Sequence, residues 1–180
     1  MAYDYKIDTV ALVNQLRFFN GYGGFTPDGK EYVIILEEGQ STPAPWINVI
    51  ANEQFGFLDT ETGGGYTWAK NSRENRLTPW TNDPVIPLHG EAIFLRDQET
   101  GQIWSPTAAP IRGENPYVTR HGFGYTRYEY GDQGLHQTVD LYAAANDPVK
   151  LIRIRLQNKS NRRRSLGVSY YLEPVLGVLP

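Results

Sequence analysis

Apolar and polar residues alternate along the last third of the chain with the two-residue period of β-strands. In the segment 150–158, Ile152, Ile154 and Leu156 share one face, and mostly polar residues lie between them. One face of this strand is therefore predicted to be core and the other to be solvated. The segment 166–172 repeats the alternation after a polar turn, and we predict that it is the antiparallel partner of 150–158.

Further strand patterns occur earlier in the chain. The turn Thr26-Pro27-Asp28-Gly29 leads into the apolar run 31–36, which is typical of a buried strand. The segments 92–95 and 102–104 flank a polar loop and predict a hairpin. A further strand is predicted over 137–141, where every second residue is suited to the core.

Residues 8–16 contain the single helical pattern, with Asp8 as a candidate N-cap and Val10, Val13 and Leu16 at helical spacing. Many short strands and one short N-terminal helix predict an all-β fold, an antiparallel β-sandwich. The segment 170–179 is still apolar and strand-like where the sequence stops. We therefore expect a truncated sandwich from a longer protein.

Composition excludes several classes of function. The 180 residues suit one domain, and 17 Lys+Arg against 20 Asp+Glu leave no strong field for nucleic acid or a membrane. The chain has no cysteine, which rules out disulfides and thiolate catalysis. It also shows neither a signal peptide nor a long apolar span. We expect a cytoplasmic segment without membrane contact. This expectation is compatible with attachment of the parent protein to the inner membrane.

Residues that could carry chemistry do not form a catalytic motif. Close acidic pairs lie at or near predicted turns, where solvated side chains are the simplest interpretation: Glu37 with Glu38, Asp59 with Glu61, and Glu129 with Asp132. The histidines match no metal-ligand spacing, so neither a metal nor a cofactor is predicted: His89, His121 and His136. The basic cluster of Lys159 and 162–164 is interpreted as a solvated hairpin tip.

The tract 120–128 (RHGFGYTRY) combines ring side chains and arginines with two glycines. Aromatic faces pack on sugar rings, and Arg and His donate hydrogen bonds to hydroxyl or phosphate groups. The residues alone favour a simpler alternative, a glycine-kinked strand whose aromatic side chains are core.

Four tryptophans are further candidates for stacking on a ligand. Core packing is the default for Trp46, Trp68, Trp80 and Trp104. Trp46 and Trp80 each follow a proline, and a rigid loop there could expose a ring. Trp46, Trp68 and Trp80 are therefore weaker stacking candidates.

The tract 120–128 is one of seven that together resemble a known family. The other six precede it in order: LRFFNGYGGF at 16–25, GKEYVI at 29–34, TPAPWINVI at 42–50, GGGYTW at 63–68, SRENRLT at 72–78 and WSPT at 104–107. They resemble the cellobiose-phosphorylase-like enzymes, classified as glycosyltransferase family 36 or glycoside hydrolase family 94. The likeness is strongest to the phosphorylase-like region of bacterial cyclic β-1,2-glucan synthases.

The resemblance implies a mutarotase-like supersandwich over 16–180, with 1–15 as an extension or linker. In the family a helical barrel follows this sandwich and carries the acid for inverting phosphorolysis of β-glucosides, so this chain would be non-catalytic within an enzyme. The sandwich also takes part in dimers. The implied partners are β-glucan, most closely β-1,2-linked, and inorganic phosphate.

The same resemblance makes four residues candidates for contact with sugar, phosphate or the partner's barrel: Arg120, His121, Tyr125 and Arg127. Two alternatives stay open. One is a free-standing carbohydrate-binding module, and the other is a purely structural assembly domain.

Overall fold

The computed structural model describes residues 5–81, 83 and 89–175, and the regular secondary structure in these residues is almost entirely antiparallel strand. The helix is α1 (Thr9–Val13), and the strands are β1 (Gly23–Phe25), β2 (Glu31–Leu36), β3 (Ile47–Ala51), β4 (Phe55–Thr60), β5 (Gly65–Ala69), β6 (Glu91–Asp97), β7 (Ile103–Trp104), β8 (Tyr117–Gly122), β9 (Tyr125–Asp132), β10 (Leu135–Ala143), β11 (Lys150–Asn158) and β12 (Leu166–Leu172). Every ladder between these strands is antiparallel. The predicted fold class is confirmed.

The strands form three sheets. The large sheet has the order β1-β2-β8-β9-β10-β11, and the two smaller sheets have the orders β3-β4-β5 and β12-β6-β7. The inner face of the large sheet packs against both small sheets. Phe57 of β4 and Ile93 of β6 share one apolar cluster with Val139 of β10. A second cluster holds the parallel ring pair of Tyr117 and Tyr130, whose centroids are 4.0 Å apart.

Helix α1 covers part of the opposite, outer face of the large sheet. The Oδ1 atom of Asp8 accepts a hydrogen bond from the Ala11 N–H over 2.9 Å, which confirms the predicted N-cap. The helix is shorter than predicted, and Val10 is 71% exposed rather than inward-facing. Leu12 packs instead, with its neighbours, against β2 and β8. This contact explains why β2 is buried on both faces. The predicted boundary between 1–15 and 16–180 stays a prediction.

The predicted strands have close counterparts, and one predicted pairing is wrong. β2, β10, β11 and the β6–β7 hairpin agree with the expected segments. β12 spans the predicted residues but pairs with β6, opposing Leu166 to Asp97, and not with β11. Its alternating apolar residues are also substantially exposed, Val168 by 51%. The segment 170–179 extends beyond the described residues.

The basic cluster explains the unexpected pairing of β12. Arg164 is not at a solvated hairpin tip, because its side chain is 3% exposed and its Nη2 lies 2.7 Å from Asp97 Oδ2. Arg162 reaches Asp97 and Glu99 of the same hairpin. These ion pairs hold the start of β12 against the β6–β7 hairpin. No helix in the described part of the chain is long and apolar enough to cross a membrane.

Candidate functional site

The tract 120–128 forms the hairpin of β8 and β9. Phe123 and Gly124 make its turn, where Gly124 has a φ of +80° and Phe123 is 86% exposed. Side chains on the two strands alternate between the core and the outer face of the large sheet. Arg120 lies directly opposite Arg127, and Gly122 opposite Tyr125. The hairpin therefore brings three of the four candidate residues together on the outer face.

Two of these three side chains share the carboxylate of Glu31 on β2. The Arg120 Nη1 donates to Glu31 Oε2 over 3.0 Å, and its Nε donates to Glu129 Oε1 over 2.6 Å. The Tyr125 hydroxyl donates to the other oxygen of Glu31. Burial and the neighbouring Glu31 carboxylate raise the pKa of Tyr125 to about 12. These charge-assisted contacts hold both candidates in fixed positions.

Arg127 is held on the same face by Asp140 of β10. Its Nε donates to Asp140 Oδ1 over 2.6 Å, while Arg153 of β11 donates twice to Oδ2, over 2.9 and 2.6 Å. The three residues border an open depression of about 520 Å³, which is also lined by Thr138 and Arg155. The depression presents guanidinium, hydroxyl and carboxylate groups side by side. It can therefore form hydrogen bonds with polyhydroxylated or anionic groups.

His121 lies on the inner face, away from the other three candidates. Its Nε2 is 3.1 Å from the Trp46 carbonyl oxygen, which can only accept, so Nε2 is the donor. Its Nδ1 lies 3.2 Å from Thr126 Oγ1. Burial lowers the pKa of His121 to about 4, so the ring is neutral at pH 7. In this structure His121 links the Trp46 carbonyl to β8 and β9.

A buried group of charged residues was missed by the sequence interpretation. Asp59 and Glu61 are not solvated turn residues, because they are 2% and 3% exposed. The Lys150 Nζ lies 2.7 Å from Glu91 Oε2 and 3.8 Å from Asp59 Oδ1. It is also 4.4 Å from the centre of the Phe57 ring. The signal for this cluster was present, since Lys150 has the same strand parity as the core residues of β11.

Burial controls the ionisation of these carboxyl groups. It raises the pKa of Asp59 to about 6 against the opposing attraction of Lys150. It also raises the pKa of Glu61, which accepts hydrogen bonds from the Trp46 N–H and the Thr42 hydroxyl. Among the other predicted turn carboxyls, Glu37 and Glu38 are exposed, whereas Glu129 lies within β9.

The tryptophans lie in different surroundings. Trp104 is 8% exposed and donates through Nε1 to Gln137 Oε1, as expected for a core residue. Trp46 packs between two tyrosine rings against the core. Trp68 and Trp80 are half-buried and both contact the Tyr66 ring. The structure thus brings two of the three stacking candidates together.

The histidines do not assemble a metal site in the part of the chain that the structure describes. Within those residues there is no group of three or more His, Asp or Glu side chains that could hold a metal ion. His89 Nδ1 is buried without a hydrogen-bond partner among the described residues, and burial lowers the pKa of its ring.

Comparison with known proteins agrees with this architecture. Residues 30–179 match the supersandwich domain of glycosyl hydrolase 94. The chain belongs to this family. Its supersandwich domain is 45% identical, over 163 residues, to the cyclic β-(1,2)-glucan synthase NdvB of Rhizobium meliloti (strain 1021), covering 90% of the chain and 6% of that protein.

The supersandwich domain is also similar to two phosphorylases. It is 31% identical over 156 residues to solabiose phosphorylase of Paenibacillus borealis, covering 85% of the chain and 20% of that protein. It is 29% identical over 155 residues to N,N'-diacetylchitobiose phosphorylase of Vibrio furnissii, covering 84% of the chain and 19% of that protein. The chain therefore spans one-fifth or less of each of these proteins.

Proposed function

We propose that this supersandwich domain is a non-catalytic part of a cytoplasmic β-glucan phosphorylase or cyclic β-1,2-glucan synthase. It contacts carbohydrate, supports a downstream helical barrel and contributes to a dimer. The observation that carries the proposal is the similarity to a cyclic β-(1,2)-glucan synthase. The two sequences are 45% identical over a region that covers 90% of this chain and 6% of that protein. The substrates of the whole protein would be β-1,2-linked glucan and inorganic phosphate.

The non-catalytic role is supported by the positions of the acidic residues. A glycosidic bond is cleaved by a protonated acid that reaches the leaving oxygen from an open cleft. The carboxyl groups whose pKa is raised, Asp59 and Glu61, are almost fully buried. In the open depression, Glu129 and Asp140 are bound by arginine side chains. These arrangements favour structural roles for the acidic residues.

The proposed contact with carbohydrate is supported by the polar outer face of the large sheet. Arg127, Arg153 and Arg155 surround a depression that also offers the Thr138 hydroxyl. Such groups form hydrogen bonds to sugar hydroxyls or to phosphate, and their fixed positions reduce the entropy lost on binding.

The test is to compare the purified 180-residue chain with the longer protein that includes the downstream barrel. Each is incubated with linear β-1,2-glucan and inorganic phosphate, and released glucose 1-phosphate is measured with a coupled enzyme assay. We expect release by the longer protein and none by the chain alone. Turnover by the 180 residues would contradict the non-catalytic role. Sedimentation equilibrium of the longer protein would separately test the proposed dimer.

A free-standing carbohydrate-binding module is the second candidate function. The observation that favours it is the group of the buried Tyr66 and the half-buried Trp68 and Trp80, in which the aromatic rings are already in contact. A module would bind glucan without the barrel, whereas a purely structural assembly domain would not bind it. Calorimetric titration of the chain with linear β-1,2-glucan distinguishes the two.

A further inference from the structure

The sheet β3-β4-β5 has an outer face that exposes apolar side chains. Its inner face packs on the large sheet through residues such as Phe57 and Ile50. On the outer face, Ile47 is 50% exposed and Val49 is 56% exposed. Trp68 of β5 lies on the same face, since it opposes Gly56 of β4, which in turn opposes Ala51 of β3. Apolar side chains therefore continue across all three strands.

Trp68 lies across its neighbouring strand because that strand has a glycine at the contact. A Cβ atom added to Gly56 would lie 2.5 Å from a carbon of the Trp68 indole and 2.8 Å from the Ala51 Cβ. Any larger residue at position 56 would lift the ring from the sheet. One side of the indole is thus packed against the sheet, and the Trp68 residue as a whole is half-buried.

The neighbouring rings make this group rigid. The Tyr66 centroid is 5.1 Å from that of Trp68 and 5.4 Å from that of Trp80, with the Trp80 ring stacked at an interplanar angle of 28°. The guanidinium of Arg76 lies 5.8 Å from the Tyr66 ring centre, and its Nη1 donates to the Trp80 carbonyl oxygen over 3.2 Å. The Tyr66 hydroxyl donates to the Ser72 carbonyl oxygen. A ligand would meet rings whose positions are already fixed.

We infer that Trp68 and Trp80, supported by Tyr66 and Arg76, form a platform on which a β-linked gluco-oligosaccharide stacks with the apolar faces of its sugar rings. This inference rests on the proposed function of the domain in contacting carbohydrate and assigns that contact to a second surface. Indole rings provide large apolar faces with a polar edge, a combination suited to pyranose rings. The exposed β-branched residues Ile47 and Val49 extend the platform along β3.

A sugar chain fits this surface better than a nucleic acid or a charged peptide. Arg76 is the one charged side chain in the described group, and it is already engaged with Tyr66 and Trp80. By contrast, the three outer-face candidates Arg120, Tyr125 and Arg127 are bound by carboxylates within the domain.

The test is calorimetric titration of the intact 180-residue chain with linear β-1,2-glucan. We expect Trp68→Ala and Trp80→Ala each to weaken binding by about tenfold or more, a loss equivalent to about 1.4 kcal/mol. Trp68→Phe keeps an aromatic ring and should lose less. Tyr171→Ala is the matched control, because Tyr171 is an aromatic residue that is 47% exposed on another sheet. Circular dichroism establishes that each variant is folded.

Several results would overturn the inference while leaving the proposed function standing. Unchanged binding by Trp68→Ala and Trp80→Ala would exclude the platform, and loss of binding only in Arg127→Ala would assign the sugar to the large sheet. No binding by the wild-type chain would, by contrast, exclude the platform and also contradict the proposed contact of this domain with carbohydrate. If Trp68→Ala instead abolishes self-association seen by sedimentation, the face is a protein interface. Failure of the proposed non-catalytic role would appear separately, as turnover by the chain.

Discussion

At the residue scale, the buried cluster of Asp59, Glu91 and Lys150 separates what the sequence could predict from what it could not. Strand parity placed Lys150 with the core residues of β11, which was enough to predict an inward-facing ammonium group. Its two carboxylate partners come from β4 and β6, and neither is near β11 in sequence. Close spacing to Glu61 instead favoured a solvated turn for Asp59. Ion-pair partners across sheets are fixed by tertiary packing.

The raised pKa of Asp59 predicts that the stability of the domain depends on pH. Its native pKa of about 6 lies above the ordinary value of 3.8, so the folded state binds the proton more tightly between these values. This contribution to stability is present below pH 3.8 and is lost as pH rises through about 6. Asp59→Asn cannot ionise, and Glu91 still pairs with Lys150. We therefore expect its free energy of unfolding at pH 7.5 to exceed that of the wild type by on the order of 1–3 kcal/mol.

Urea denaturation at pH 5 and pH 7.5 measures this difference. Asp147→Asn is the control, because Asp147 is an exposed residue in the turn after β10 and should change stability little at either pH. A loss of stability in Asp59→Asn at pH 7.5 would contradict the prediction. It would show that the Asp59 carboxylate stabilises the buried ammonium group of Lys150 by more than its own burial costs.

At the element scale, periodicity predicted the strands but not all of their neighbours. The alternation in 166–172 is the same whichever strand lies beside it, and a short connection from β11 favoured a hairpin. The chain instead crosses to the other sheet, where Arg164 meets the buried carboxylate of Asp97. The local pattern carries no information about this long-range pair. For β2, whose continuous apolar run indicated burial on both faces, the local pattern was sufficient.

Arg164 should stabilise the packing of β12 on β6. Arg164→Ala would leave Asp97 buried with weaker compensation from Arg162, so we expect a loss of about 2–4 kcal/mol in the free energy of unfolding. Its neighbour Arg163 is exposed and provides the matched control. We expect Arg163→Ala to change stability by less than about 0.5 kcal/mol. Equal effects of the two substitutions in chemical denaturation would contradict this account of β12.

Helix α1 offers a second comparison between neighbours. Leu12 packs against the apolar residues of β2 and β8, whereas Val10 is 71% exposed. Leu12→Ala removes apolar surface from a half-buried site and should lower the free energy of unfolding by about 1–2 kcal/mol. Val10→Ala should be nearly neutral in the same thermal and urea unfolding experiments. A neutral Leu12→Ala would contradict a stabilising contact of Leu12 with β2 and β8.

At the scale of the whole molecule, the fold followed from the sequence, and the surroundings of the candidate site residues did not. The two-residue periods and frequent turns predicted an antiparallel sandwich, and the ordered tracts indicated the family that residues 30–179 match. The tract 120–128 has a composition suited to a sugar ligand, yet its arginines and Tyr125 are bound to carboxylates and His121 points inward. The arrangement of Trp68 and Trp80 around Tyr66 depends on β5 and on the chain that follows it, and composition alone could not show it.

The central claim is that this domain contacts glucan without cleaving it. One NMR sample of the 180-residue chain with linear β-1,2-glucan and inorganic phosphate tests both parts directly. We expect saturation transferred from the protein to appear on the sugar protons, while the ³¹P spectrum shows inorganic phosphate alone after prolonged incubation. A growing glucose 1-phosphate resonance, or glucan signals without any saturation transfer, would contradict the account.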